Sequence, residues 1–172
     1  MPGHASSAAK VPGMVCVHGG GGTAFAKWVK IWNERGYAAI AMDTCGKAPR
    51  GERDGKCHPS HAWSGPVGWD ASFSDMDSPV TDQWPYHAIS AIISANSYLR
   101  GLPMVNQDRI GVTGISWGGY LASVAAGVDH RFAFVAPVYG SGWYDLNPRV
   151  WGGGKKNREN FAKWLDMWDA KH

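Results

Sequence analysis

The stretch Asp108-Arg109-Ile110-Gly111-Val112-Thr113-Gly114-Ile115-Ser116-Trp117-Gly118-Gly119 runs from an apolar strand, Arg109 to Ile115, through a sharp turn into a small-residue helix, Trp117 to Gly127. A Gly-x-Ser-x-Gly set in that strand-turn-helix context has the form of a nucleophile elbow. The turn is so tight that the residues two before and two after Ser116 must be small, and Gly114 and Gly118 meet that demand. Such a turn lifts the Ser116 hydroxyl off the end of the sheet and points the Trp117 backbone N–H into the same space. The plainer alternative is a glycine-eased junction in which Ser116 is incidental.

Outward from this turn, apolar runs at Met14 to Val17, Tyr37 to Met42 and Phe132 to Val138 read as three further strands. Between them the spacing changes to a helical period. Phe25, Trp28, Val29 and Trp32 fall at i, i+3, i+4 and i+7, with Thr23 expected as the cap and Gly36 as a left-handed stop. A second helix opens at Pro85, presents Ile89, Ile92, Ile93 and Leu99, and stops at Gly101 and Pro103. A last one, Glu159 to Trp168, aligns Phe161, Trp164, Leu165 and Trp168. Alternating strands and helices predict an α/β chain. The expected architecture is a three-layer α/β/α sandwich on a parallel sheet with right-handed crossovers. Ligands of such sheets bind outside the carboxyl ends of the strands. Residues 1–172 are read as one domain, with a long excursion over 44–83 that is rich in Gly, Pro, Asp, Ser and Trp and lies over those ends.

His18-Gly19-Gly20-Gly21-Gly22 follows the first strand. A backbone N–H of Gly20 or Gly21, paired with that of Trp117, would aim two donors at a developing alkoxide; one such donor is worth roughly 3–4 kcal/mol in the transition state. His18 precedes the nucleophile, so chain order makes it a loop brace or pocket residue rather than the base. The same stretch has a rival reading. Gly19-x-Gly21-x-x-Ala24, with Asp43 closing the next strand, fits the dinucleotide fingerprint of an oxidoreductase domain. That reading leaves Ser116 unexplained, and Asp43 reads better as a loop-bracing carboxylate.

Composition narrows the classes. With 172 residues, 44% of them hydrophobic, the chain can build one core. Its net charge of +3 is scattered, so no basic stripe tracks a nucleic acid. Lys155, Lys156 and Arg158 read as the solvated start of the last helix. Three cysteines, Cys16, Cys45 and Cys57, form neither a disulfide framework nor a zinc pattern. Met1 to Lys10 lacks a signal-peptide core, and no run reaches membrane-spanning length. No metal or cofactor is expected. Trp63, Trp69, Trp84 and Trp143, among ten Trp, are candidates for an aromatic platform.

The two glycine clusters, with Val11 to Lys47 and Asp108 to Gly140 around them, resemble the α/β-hydrolase superfamily. The nearest branch is that of acetyl xylan esterases and dienelactone hydrolases, bordering the prolyl oligopeptidase-like peptidases. Val135-Ala136-Pro137-Val138-Tyr139-Gly140 and Asp108-Arg109-Ile110-Gly111 carry this likeness. The resemblance implies Ser116 as nucleophile, Trp117 with Gly20 and Gly21 as oxyanion hole, and a small-molecule or carbohydrate ester as substrate. It also implies an acid after a later strand and a His after the last one, so the chain reads as the central strands of the fold. Asp129, His130, Asp145, Asp166, Asp169 and His172 are the acids and imidazoles that follow Ser116; His58, His61 and His87 belong to or flank the excursion. Trp143 and Asp145 are candidate pocket residues. A non-catalytic binding module that kept the elbow is the further alternative. Open edges on a four-stranded sheet lead us to expect self-association.

Overall fold

The computed structural model describes residues 1–3, 6, 8–20, 22–48, 59–66, 73–140, 142, 144 and 155–172, the side chains of 155–158 excepted. Its strands are β1 (Val11–Val17), β2 (Ala38–Met42), β3 (Val105–Ile115) and β4 (Phe134–Val138). All pair in parallel, in the order β2-β1-β3-β4. The helices are α1 (Ala26–Glu34), α2 (Trp84–Gly101), α3 (Trp117–Val128) and α4 (Lys155–Trp168). The expected α/β architecture is present.

The strand order determines where a ligand can enter. From β1 the chain steps outward through α1 to β2, then crosses back through α2 to β3 and on through α3 to β4. Right-handed crossovers therefore put α1 on one face and α2 with α3 on the other. In agreement, α2 packs on α3 and across β1, β2 and β3, whereas α1 packs on β2 and β1. The direction of winding reverses between β1 and β3, and the crevice outside their carboxyl ends is the switch point of the sheet. Val17 is level with Met42 and Gly114, and Ile115 with Val138, so all four strands end together at that crevice.

Burial follows position in the sheet. Central β1 is almost wholly buried along its length, as a strand covered on both faces must be. Edge strand β4 is not: Phe134, Val135 and Val138 are each about 40% exposed. Trp84, Trp164, Tyr120, Ile92, Leu99 and Leu121 fill the space between the sheet and the helices of its α2 face.

The ends of α1 show one expectation met and one replaced. Gly36, at φ 84°, stops the helix as expected. Its N–H bonds Asn33 O at 3.0 Å and the Tyr37 N–H bonds Trp32 O at 3.0 Å, the paired bonds of a Schellman stop. The Trp32 and Tyr37 rings, 5.0 Å apart and edge to face, supply its hydrophobic contact. Thr23 is not the cap. The helix begins at Ala26 after Phe25, without a side-chain cap bond. Thr23 is buried, and its hydroxyl donates instead to Lys47 O at 2.9 Å, tying the glycine turn to the segment after β2. Within the excursion, Lys47 and Ser60 form an antiparallel bridge, and Val80–Asp82 makes a single 3-10 turn. Asp75 Oδ2 then accepts the Trp84 N–H at 3.0 Å and so caps α2 from outside its own sequence.

Helix α4 docks through its aromatic face. Trp164 is fully buried, the Trp168 indole donates to Gln83 Oε1 at 2.7 Å, and the Tyr120 hydroxyl donates to Trp168 O at 2.7 Å. Burial, with Tyr144 and Asp169 nearby, pushes the Tyr120 phenol well above its ordinary range, so it stays a donor. Cys16 is buried in β1, and burial pushes its thiol up to about 12, which keeps it neutral. Cys45 is buried, and Cys57 lies outside the described residues. No helix among the described residues is long and apolar enough to cross a membrane.

At the amino end of the sheet Asp129 joins α3 to α2. Its carboxylate accepts two bonds from the Arg131 guanidinium at 2.7 and 2.8 Å and one from Asn96 Nδ2 at 3.0 Å. The Arg131 bonds outweigh the upward push of burial and, with Asn96, hold the carboxyl at about 2. A folded value below the unfolded one stabilises the protein above the unfolded value, and that stability is lost as pH falls through the folded value. Asp129→Ala is expected to cost about 2 kcal/mol near neutral pH and much less near pH 2. Urea melts across that range check this; a cost that does not change with pH would exclude the carboxylate as its source.

Candidate active site

Ser116 stands between β3 and α3 with φ 58° and ψ −123°. For a residue with a Cβ this is a sparsely populated conformation, costing on the order of 1–3 kcal/mol. Three hydrogen bonds hold it. The Ser116 N–H donates to Val138 O at 2.7 Å, and Ser116 O accepts from the N–H groups of Gly119 and Tyr120 at 2.9 and 3.1 Å. The residue is exposed at the carboxyl end of the sheet. The Trp117 N–H heads α3 directly after it. The Trp117 indole turns into the core, where it meets Trp84, Tyr120 and Trp164 edge to face at ring separations of 5.5, 5.2 and 5.8 Å.

Glycines make this turn sterically attainable. A Cβ on Gly114 would lie 2.2 Å from Gly118 O, and one on Gly118 would lie 2.2 Å from Val17 O. A Cβ on Gly140 would lie 2.1 Å from the Gly119 carbonyl carbon. Backbone therefore meets backbone on three sides of the turn, where β1, β4 and α3 converge.

The glycine turn after β1 closes the site from the other side. Gly22 N–H donates to Gly19 O at 3.2 Å, and a Cβ on Gly19 would touch Ile115 O at 2.7 Å. Gly20 lines the cleft beside Ser116, and Gly21 lies outside the described residues. That cleft, of about 330 Å³, is walled by Gly19, Gly20, Gly22, Phe25, Trp28, Ile115 and Ser116. Phe25 and Trp28 had been legible only as part of a helix face. Their spacing immediately behind a glycine turn was the signal for a second role.

His18 lies behind the turn rather than in the cleft. It is buried, with Nδ1 2.8 Å from Gly19 O and Nε2 accepting the Thr44 N–H at 2.9 Å. These partners assign the proton to Nδ1 and leave no ring nitrogen for Ser116. Asp43 Oδ1 approaches His18 Nε2 at 3.4 Å, and Oδ2 accepts the backbone N–H groups of Cys45 and Lys47 at 3.2 and 2.8 Å. Burial pushes the Asp43 carboxyl up, but the backbone N–H groups of Lys47 and Cys45, with the His18 ring beside it, more than offset it and hold it below its ordinary value. Asp43 is thus a charged brace for the loop after β2. With its carboxylate committed there, and with α1 starting only at Ala26, the dinucleotide reading loses both its ribose acid and its helix end at the glycines.

The remaining candidates are dispersed. Asp129 and His130 sit at the opposite end of the sheet, Asp129 bound as described above. Asp169 is buried and accepts the backbone N–H groups of Tyr144 and Lys171 at 3.0 and 3.1 Å, and His172 Nε2 lies 3.1 Å from Leu165 O. Both therefore finish α4, and Asp169 also holds Tyr144 of the segment after β4. Asp166 is exposed on α4. His61 and His87 line a different cleft with Asp43 and Trp63, and His61 Nε2 is 3.7 Å from Asp43 Oδ2. Trp84 is core, buried under Thr44 with its indole donating to Thr44 O, so it is no platform. Trp69, Trp143, Asp145 and His58 lie outside the described residues. Among the described residues no imidazole hydrogen-bonds Ser116, and no group of three His, Cys, Asp or Glu side chains is placed to hold a metal ion.

Residues 75–171, which include the elbow, match the model of the prolyl oligopeptidase family. The chain belongs to that family. Solved structures agree on the fold. An acetyl xylan esterase from Paenibacillus sp. R4 superposes with a TM-score of 0.69 at 22% identity, over 94% of this chain and 54% of its own. Acetyl xylan esterase 1 from Thermoanaerobacterium sp. JW/SL YS485 gives 0.64 at 19%, over 95% and 50%. An acylaminoacyl peptidase, in complex with Z-Gly-Gly-Phe-chloromethyl ketone, gives 0.61 at 20%, over 99% and 27%. This member of the prolyl oligopeptidase family thus spans about half the length of the two esterases it resembles. Comparison with curated proteins gives no match.

The glycine contacts predict a graded mutational series. Gly140→Ala and Gly118→Ala force a Cβ into backbone and are expected to cost about 3 kcal/mol or more. Gly127→Ala, in the same α3 but with nothing within 4 Å of the new Cβ, is expected to gain about 0.5 kcal/mol from helix propensity. Thermal or urea melts of the three variants give the order directly.

Proposed function

We propose that this chain carries the nucleophile and oxyanion turn of a serine hydrolase that cleaves esters of small molecules or carbohydrates. The observation that carries the reading is the strained backbone of Ser116, held at the topological switch point and facing a glycine turn. Strain of this kind persists only where surrounding structure enforces it, and it concentrates at functional sites.

In this reading the Ser116 hydroxyl gives its proton to a base and Oγ attacks the ester carbonyl carbon. The carbonyl oxygen becomes an oxyanion that accepts hydrogen bonds from the Trp117 N–H and from the turn at Gly20 and Gly21. Collapse expels the alcohol, which takes up the proton, and leaves an acyl-Ser116 that water hydrolyses. The base is proposed to be a histidine, as the superfamily resemblance implies. Ester over amide rests on the same resemblance.

A fluorophosphonate probe is expected to label the folded protein at Ser116, and Ser116→Ala is expected to abolish the label. A folded sample that stays unlabelled, or a label that survives the substitution, would remove the nucleophile. Hydrolysis of p-nitrophenyl acetate no faster than by Ser116→Ala would favour the non-catalytic binding module instead.

We also propose that two copies associate through the open edge of β4, where Phe134, Val135 and Val138 are exposed. Light scattering is expected to show a dimer that Val135→Lys dissociates; a wild-type monomer at working concentrations would rule it out.

A further inference from the structure

The cleft beside Ser116 is chemically one-sided. Its side-chain walls are Phe25, Trp28 and Ile115; the rest is backbone of Gly19, Gly20 and Gly22, and Ser116 itself. Among the described residues no charged side chain lines it. The Phe25 and Trp28 rings lean together at 5.7 Å and 46°, both only half-buried, so apolar ring surface faces open space. Ile115, the residue before the serine, is 39% exposed although it ends a central strand. The charged and imidazole-bearing cleft of Asp43, His61 and His87 is separate from this one. At about 330 Å³, the cleft at Ser116 is at the low end for a ligand pocket, roughly 300–1,000 Å³.

We infer that this cleft is an acyl pocket for an uncharged apolar group, a short alkyl chain or a phenyl ring, and that Trp28 and Phe25 set this specificity. The inference rests on Ser116 being the nucleophile. The acyl group is the part of the substrate that stays bonded to Ser116 Oγ once the alcohol has left. A pocket with Ser116 as one wall and the glycine turn as another therefore encloses the acyl side. Charged acyl groups would be desolvated there without a partner. An acetyl group would leave most of the apolar wall wet. Each added methylene should improve kcat/KM by about fourfold until the pocket is full.

The test uses the whole chain, p-nitrophenyl esters of acetic, butyric, hexanoic, benzoic and succinic acids, and methyl- and phenylboronic acids as reversible ligands of the Ser116 oxygen. The expected result is kcat/KM rising at least tenfold from acetate to hexanoate or benzoate, with the charged succinate monoester poorest, and phenylboronic acid binding at least tenfold tighter than methylboronic acid. Trp28→Ala is expected to shrink these preferences to about twofold, with the losses for the hexanoyl and benzoyl esters and for phenylboronic acid larger than those for the acetyl ester and methylboronic acid. Phe25→Leu, a milder change, should reduce the benzoyl preference alone. A flat series, a preference for acetate, or preferences that survive both substitutions would overturn the acyl pocket and leave the nucleophile standing. A preference seen only when the alcohol is varied would also overturn it. Ser116→Ala separates the two ideas: if it leaves hydrolysis and boronic acid binding unchanged, the nucleophile falls and the acyl pocket with it.

Discussion

The structure depends on a close approach of bare backbone at one point. Where β1 and β3 end and α3 begins, Gly114, Gly118, Gly119 and Gly140 let carbonyls and peptide planes pack at distances no Cβ would allow. That contact seats α3 directly against Val17 and His18 of one neighbour and Val138 and Gly140 of the other. Once it is seated, the turn between β3 and α3 has room for only one residue, and Ser116 takes up the strain as φ 58°. The strain is therefore not a local property of the serine. It is imposed by the sheet, the helix and the next strand together, and the Ser116 N–H to Val138 O bond is the strut that links them. Val138 is followed by Tyr139, the only other non-glycine residue with positive φ among the described residues, at 56°. The chain leaving β4 must swing Gly140 against Gly119 at once, and Tyr139 absorbs that bend with its side chain 91% exposed.

A second constraint fixes the direction of α3. Trp117 occupies the first position of the helix, and its indole is driven into an aromatic cluster with Trp84, Tyr120 and Trp164. Edge-to-face pairs of this kind add roughly 0.5–1.5 kcal/mol each beyond the area they bury. With the indole held inside, the Trp117 backbone cannot rotate, so its N–H keeps one direction at the carboxyl end of the sheet. The cluster is closed by α4, whose Trp164 and Trp168 reach Tyr120 and Gln83. Packing of the last helix is thus mechanically connected to the orientation of a single amide at the site.

How much of this was legible in the sequence depended on the range of the interaction. Gly114-x-Ser116-x-Gly118 and the Gly36 stop were readable because their geometry is local: a turn or a cap constrains residues within a few positions. The parallel sheet followed from alternation and handedness; the order of its strands comes from tertiary pairing. Thr23 misled, because a hydroxyl next to a helix is a cap only if nothing else competes, and the Lys47 carbonyl, 24 residues away, does. Trp84 misled for the same reason. An indole reads alike whether it faces solvent or core, and only the partner at Thr44 decides. The cap of α2 by Asp75 and the Asp129–Arg131–Asn96 network each depend on groups brought together by tertiary folding. His18 was legible as a brace from chain order, but its tautomer is set by Thr44 and Gly19 and could not be read from residue types.

The division of labour at the site follows from which atoms come from where. Among the described residues, every polar group lining the cleft is backbone or Ser116, held by close glycine contacts. Among the described residues, the apolar groups are side chains, and two of the three, Phe25 and Trp28, stand at or just before the start of α1, joined to the glycine turn by the segment Thr23–Phe25. Thr23 anchors that segment from beneath through Lys47, and Asp43 in turn holds the Lys47 N–H. The brace that holds the glycine turn thus also sets the height at which Phe25 and Trp28 stand beside Ser116. The polar and apolar walls of the cleft are separable in residue identity and coupled through one loop. Changes to the α1 side chains can alter what fits without moving the polar groups, whereas a change at Asp43 or Thr23 would move both.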